Sequence, residues 1–144
     1  MPFLVSREGD VRLLTDLLGG GGSEDWVLGL YTDPITPAET DVASTYTAHE
    51  ADFAGYARKT LTRSVSPATW NAPVLQAPSG SPSWSSRGQV ASSRYGDAPL
   101  NWTVGATGGV VLGYFILGQA SGALILAERF AAPRTLNTGD TLSL

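Results

Sequence analysis

The sequence contains no cysteine and a single histidine among 144 residues. The first absence excludes disulfides, thiolate metal sites and cysteine nucleophiles. The second leaves His49 without a second imidazole for a nitrogen-rich metal site. Charge is also scarce: 15% of residues are Asp, Glu, Lys or Arg, against roughly 25% in ordinary soluble domains. The start, from Met1 to Glu8, lacks the charged-then-apolar pattern of a signal peptide. The longest apolar stretch, Val110 to Leu117, is too short to span a bilayer. These absences lead to the expectation of a protein made in a cytoplasm, with no membrane partner.

Hydrophobic residues make up 42% of the chain, enough for a core in a single domain of this length. With so little charge, the surface must be built from Ser, Thr, Gly, Asn and Gln, or be covered by neighbouring chains. The charge is also unevenly placed. Residues 1–52 hold ten acids against Arg7 and Arg12; residues 53–96 hold Arg58, Lys59, Arg63, Arg87 and Arg94 with no acid. Folding can set these regions side by side, or they can form two faces of opposite sign that steer subunit contacts. Five scattered basic residues on a chain of net charge −4 are a poor basis for a nucleic-acid partner.

The hydrophobic pattern begins helical and then turns to strands. Val11, Leu14 and Leu18 fall on one helical stripe with Leu13 and Leu17 beside it, and Asp10 is placed to cap its N-terminus. Gly19 to Gly22 end the helix and loosen the chain. The expected organisation is an N-terminal arm or short helix over residues 1–22 and a β domain over 23–144. So short a helix must dock to persist, on its own domain or on a neighbour.

Trp26 to Thr32 reads as a buried strand stopped by Asp33-Pro34, and Gly55 to Thr62 as a second strand near an edge. In the second, Tyr56, Arg58, Thr60 and Thr62 share one face. Residues 64–87 carry four prolines and many serines, which predicts loop with a short strand near Trp70–Leu75. Trp70 and Trp84 are too costly to leave bare there, so each is expected on the core or at a subunit contact. Gln89 to Tyr95, Leu100 to Val104, Gly109 to Leu117, Ala123 to Phe130 and the final Thr141 to Leu144 complete the strands. Gly118 to Gly122 closes a hairpin, and Pro133 is read as ending its second strand. The fold class expected is all-β, a sandwich or small barrel of about six to eight short antiparallel strands.

Chemistry is hard to find in this pattern. His49 lies in a polar loop beside Glu50 and Asp52 with no nucleophile singled out by spacing. Glu39 with Asp41, or Glu50 with Asp52, lacks the fixed glycine and terminal Glu of a calcium loop. Gly105 to Gly109 is glycine-rich but lies between strands, without the helix and lysine that a phosphate loop needs. The expectation is therefore a non-enzyme with no catalytic residues, no metal and no cofactor. Candidate assembly contacts are Phe3, Leu4, Val11, Leu14 and Leu18 at the front, with Trp70 and Trp84 in the central loop.

One resemblance spans nearly the whole chain. It is carried in order by Glu8-Gly9-Asp10-Val11-Arg12-Leu13-Leu14, by Leu28 to Pro37 (LGLYTDPITP), by Phe53 to Thr62 (FAGYARKTLT), and by Gly113-Tyr114-Phe115, Ala127-Glu128-Arg129-Phe130 and Gly139-Asp140-Thr141-Leu142. Together these resemble a group of small virion structural proteins of tailed bacteriophages. The resemblance implies a capsid decoration or cement protein located in the virion. Its implied partners are the major capsid protein and copies of itself, as a homotrimer or other homo-oligomer. A tail- or fibre-associated module that binds a receptor or glycan through residues 64–87 is the alternative. The resemblance transfers no catalytic residue.

Overall fold

A computed structural model of the chain describes residues 4–11, 24–63, 70, 74–76, 90–92, 95–96 and 99–144. The chain divides into two compact units, Met1–Leu61 with Leu100–Leu144, and Thr62–Pro99. The fold is all-β. Nine strands are described: β1 (Leu4–Val5), β2 (Trp26–Tyr31), β3 (Lys59–Leu61), β4 (Val74–Gln76), β5 (Val90–Ser92), β6 (Asn101–Thr103), β7 (Gly109–Gly118), β8 (Leu124–Leu136) and β9 (Thr141–Ser143). Every strand pair is antiparallel.

In the first unit a five-stranded sheet runs in the order β1-β8-β7-β2-β3, and β6 pairs with β9 in a two-stranded ribbon. The long β7–β8 hairpin is the sheet's centre, as expected of two near-continuous apolar runs. Gly122, at φ +67°, makes the turn, with Gly118 N–H donating to Ala123 O and Gly122 N–H to Gly118 O. The Glu24 carboxylate, just before β2, accepts from the Ala120 and Ser121 amides and the Ser121 hydroxyl, which fixes this turn to the start of the neighbouring strand.

β8 does not stop at Pro133. Its register with β7 shifts between Gly113↔Arg129 and Val111↔Arg134, so Phe130 to Pro133 lie opposite Leu112 alone. Pro133 thus falls in a bulge, where no ladder hydrogen bond is asked of its missing N–H. A second irregularity lies between Ile116↔Leu126 and Leu117↔Leu124, leaving Ile125 as one extra residue.

Strand alternation sorts the core into two faces. On one, Tyr31 and Phe115 lie under the short helix Ala43–Thr47, whose Tyr46 is fully buried. The Tyr46 ring meets Tyr31 edge-on at 5.2 Å and stacks on Phe115 at 5.9 Å. Leu117, Leu124 and Ala127 extend this cluster. Gly29 is the register partner of Phe115 on the same face, and a Cβ there would stand 2.4 Å from the ring. The phenyl group occupies the space a side chain would need.

The opposite face carries Leu28, Leu30, Ile116 and Leu126, all buried. Lys59, paired with Leu28 on that face, lies over the Trp102 ring of the β6–β9 ribbon at 5.4 Å. Trp102 is 1% exposed and its indole donates to Ala57 O at 2.7 Å. Leu100 to Val104 alternate as expected: Trp102 and Val104 are buried while Asn101 and Thr103 are exposed. The larger sheet is therefore covered by helix on one side and by a smaller β layer on the other.

The 55–62 strand is shorter than its alternation suggests. Gly55 sits at φ +93° against the backbone of Thr103, and Tyr56 N–H closes a turn onto Phe53 O. Pairing with β2 begins only at Lys59. In the second unit, β4 pairs with β5, and Trp70 bridges Tyr95, their rings edge-to-face at 5.1 Å.

Candidate functional site

Of the expected front-end contacts, Leu4 lies in a clip on the outer edge of β8 and Val11 at the end of that clip. Leu4 and Val5 pair with Ala127 and Leu126. Residues 7–11 are helical, and the cap is Ser6 rather than Asp10. Ser6 is 2% exposed; its hydroxyl accepts from Gly9 N–H at 3.0 Å, and Asp10 N–H donates to Ser6 O at 2.9 Å. Asp10 is already inside the helix. The reason is local: Ser6 follows extended β1 directly, so the change to helical backbone occurs there.

Ser6 is also the clip's anchor. Its hydroxyl donates to Leu124 O at 2.5 Å and its amide to Ile125 O at 3.3 Å. Glu8 accepts from Leu124 N–H at 3.2 Å, and Arg7 N–H donates to Glu39 O at 3.0 Å. The Leu124 and Ile125 groups among these partners sit at the one-residue bulge of β8, whose backbone groups are turned out of the ladder. Gly9 makes the approach possible, because a Cβ there would lie 2.1 Å from Ile125 O. Val11, at the end of this turn, is 67% exposed.

Trp70 is half-buried against Tyr95 in the second unit, and Phe3, Leu14, Leu18 and Trp84 lie outside the described residues. A groove of about 500 Å³ lies between residues 133–136 of β8 and β9, lined by Phe130, Leu136 and Leu142 together with Arg134, Thr141 and Ser143.

Three polar clusters were not singled out from the sequence. Glu50 accepts from Tyr56 OH at 2.5 Å and from Arg58 Nε and Nη2 at 2.7 and 2.6 Å, while Tyr56 OH accepts from Leu30 N–H. Burial opposes ionisation of Glu50, yet the hydrogen bonds from Arg58 and Tyr56, with the Arg58 charge, outweigh it and hold the carboxyl below its ordinary range. Tyr46 donates to Asp41 at 2.7 Å, and Tyr114 to Glu128 at 2.5 Å. Burial first, then these carboxylates, push the Tyr46, Tyr56 and Tyr114 phenols upward; burial also takes Tyr31 to about 12. The shared face of Tyr56 and Arg58 was the one sequence signal for any of this.

His49 pairs with Asp33 rather than with Glu50 or Asp52, Nδ1 to Oδ2 at 2.7 Å, and both side chains are well exposed. Its carbonyl accepts from the Thr32 amide and hydroxyl, so the residue fastens the loop to the end of β2. Each of these carboxylates is engaged in holding one segment to another, which is a fastening role. Among the described residues no group of three His, Asp or Glu converges as a metal set, and no helix is long and apolar enough to cross a membrane.

No family model, curated protein or solved structure matches this chain.

Proposed function

We propose that this chain is a non-enzymatic structural protein of a bacteriophage particle, and within that class a capsid decoration protein that stabilises the shell through contacts between subunits. The observation that carries this reading is the ordered set of sequence motifs resembling virion proteins of tailed phages. In the fold several of these motifs are neighbours. Gly29 and Leu30 pair with Phe115 and Tyr114, which pair in turn with Ala127 and Glu128, and the Glu8-Gly9-Asp10 motif is part of the clip on β8. Most of the described motif residues fall in or beside the central sheet, and Gly139 to Leu142 lead into β9 of the ribbon, a distribution that supports a scaffolding role. Sparse charge fits a surface that repeats against neighbours, where many weak contacts add by avidity.

A second reading is a tail- or fibre-associated module. Thr62–Pro99 forms a compact unit of its own holding the Trp70–Tyr95 pair, which is the kind of insert that carries recognition on a shared scaffold. Quantitative mass spectrometry of purified particles, before and after shell and tail are separated, tests both. Many copies partitioning with the shell support the first reading; a few copies partitioning with the tail, with glycan binding lost on Trp84→Ala, support the second. Absence from the particle overturns both.

A further inference from the structure

We propose that the N-terminal clip is an exchangeable strap: residues 4–11 dock on their own β8 when the chain is dilute and on the β8 of a second copy when copies are crowded. The proposal concerns the purified chain and rests on the virion reading only for the source of the crowding.

The contacts support exchange because they are self-contained. The bonds named above that leave the clip join residues 4–8 to Glu39 or to Leu124–Ala127. The acceptor edge is built by the β7–β8 hairpin and its Ile125 bulge, so it stands ready without the strap. Ser6 and Glu8 find the same partners whether the strap comes from this chain or the next. Residues 12–23 join the strap to Glu24, which is held at the β7–β8 turn, and include four consecutive glycines. At full extension twelve residues reach about 40–43 Å, enough for a subunit packed alongside.

The energetics then decide by concentration. Exchange replaces each contact with its identical copy, so contact energy cancels. What remains is competition between the tethered strap, whose effective concentration is about millimolar for a connection of this length, and the straps of neighbours. In dilute solution the tether wins. Where copies pack side by side, neighbouring straps compete on equal terms and link one subunit to the next.

The test uses the natural absence of cysteine. Val5 and Leu126 are register partners, so full-length chains carrying Val5→Cys alone and Leu126→Cys alone are mixed, unfolded together, refolded and oxidised. Disulfide-linked heterodimer can then arise only across copies. Its yield is expected to rise at least tenfold between about 10 μM and about 1 mM protein, a range that brackets the effective concentration. The rise should vanish when both chains also carry Gly9→Val, whose Cβ meets Ile125 O. A yield that stays at the Gly9→Val level at every concentration overturns the proposal. Light scattering on cysteine-free protein gives an independent reading should Leu126→Cys disturb folding. A mass that climbs with concentration in the wild type but not in Gly9→Val supports exchange, and an identical mass in both overturns it. Neither outcome touches particle membership, which is measured separately.

Discussion

The hydroxyl of Ser6 donates to the carbonyl of Leu124, 118 residues away in sequence, while the Ser6 amide reaches Ile125 O at the bulge of β8. The same hydroxyl accepts from Gly9 N–H. One buried side chain thus caps a helical turn and fastens the front of the chain to the sheet. Ser6→Ala should lower stability by about 1–2 kcal/mol, the usual cost of losing a cap together with a buried hydrogen bond. Urea denaturation checks this. A midpoint unchanged from wild type would mean the clip contributes nothing to the fold.

Two glycines in the same sheet should respond in opposite ways to alanine. Gly29→Ala drives a methyl into the Phe115 ring and is expected to destabilise by about 1–3 kcal/mol through overpacking. Gly109→Ala has nothing within 4 Å of the new methyl and no positive φ. It should be neutral or stabilising by up to about 1 kcal/mol, because the unfolded chain loses freedom. Thermal melts of the two variants check the contrast, and equal shifts would contradict the packing described for Phe115.

Glu50 sets an acid-sensitive component of stability. Its folded pKa is lowered, so the fold favours the ionised form. That contribution is complete above the unfolded Glu value of about 4.3 and is lost as pH falls through the lower folded value. Glu50→Gln should cost about 1 kcal/mol at neutral pH, a figure discounted because Arg58 is 37% exposed. It should also flatten the decline below about pH 4.5. Urea midpoints across an acid series check both, and a variant that keeps the full acid decline would assign it elsewhere.

The alkaline limb has the opposite sign. Tyr31, Tyr46, Tyr56 and Tyr114 all have raised phenols, chiefly from burial, so the fold favours their neutral forms. Their contribution is whole below the unfolded Tyr value of about 10 and is lost as pH rises through the folded values. Tyr46→Phe keeps the ring on Tyr31 and Phe115 but gives up the bond to Asp41. It should cost about 1 kcal/mol at pH 7 and reduce the loss of stability above about pH 10. Spectrophotometric titration alongside denaturation checks this. In a Tyr95→Phe background, which leaves only these four tyrosines, phenolate absorbance appearing near pH 10 without unfolding would contradict the burial.

Much of the scaffold was legible in the sequence, for stated reasons. The runs at 109–117 and 123–130, buried on both faces over 115–117 and 124–127, read as strands from apolarity alone, and Leu100, Trp102 and Val104 announce their face by alternation. The misreadings share a cause, which is that the deciding partner is distant. Pro133 reads as a stop unless the bulge opposite Leu112 is known. Gly55 and Tyr56 look like strand until Thr103 presses on Gly55. Asp10 is the better cap on local pattern, and Ser6 wins because β1 ends there and β8 supplies the bonds. The Glu50–Arg58 pair was half visible, since Tyr56 and Arg58 were placed on one face without the acid they both serve. The assignment to a virion has a different source, the order of motifs along the chain, and the fold shows only where those motifs meet.

The measurement that tests the account most directly is a cryo-EM map of the native phage particle at side-chain resolution. The account predicts this five-stranded sheet repeated at symmetry-related positions on the shell, with subunits in contact through the surface around β8. A complete shell map with no density that this fold fits, and no copies of the chain detected in the same particles, would contradict it.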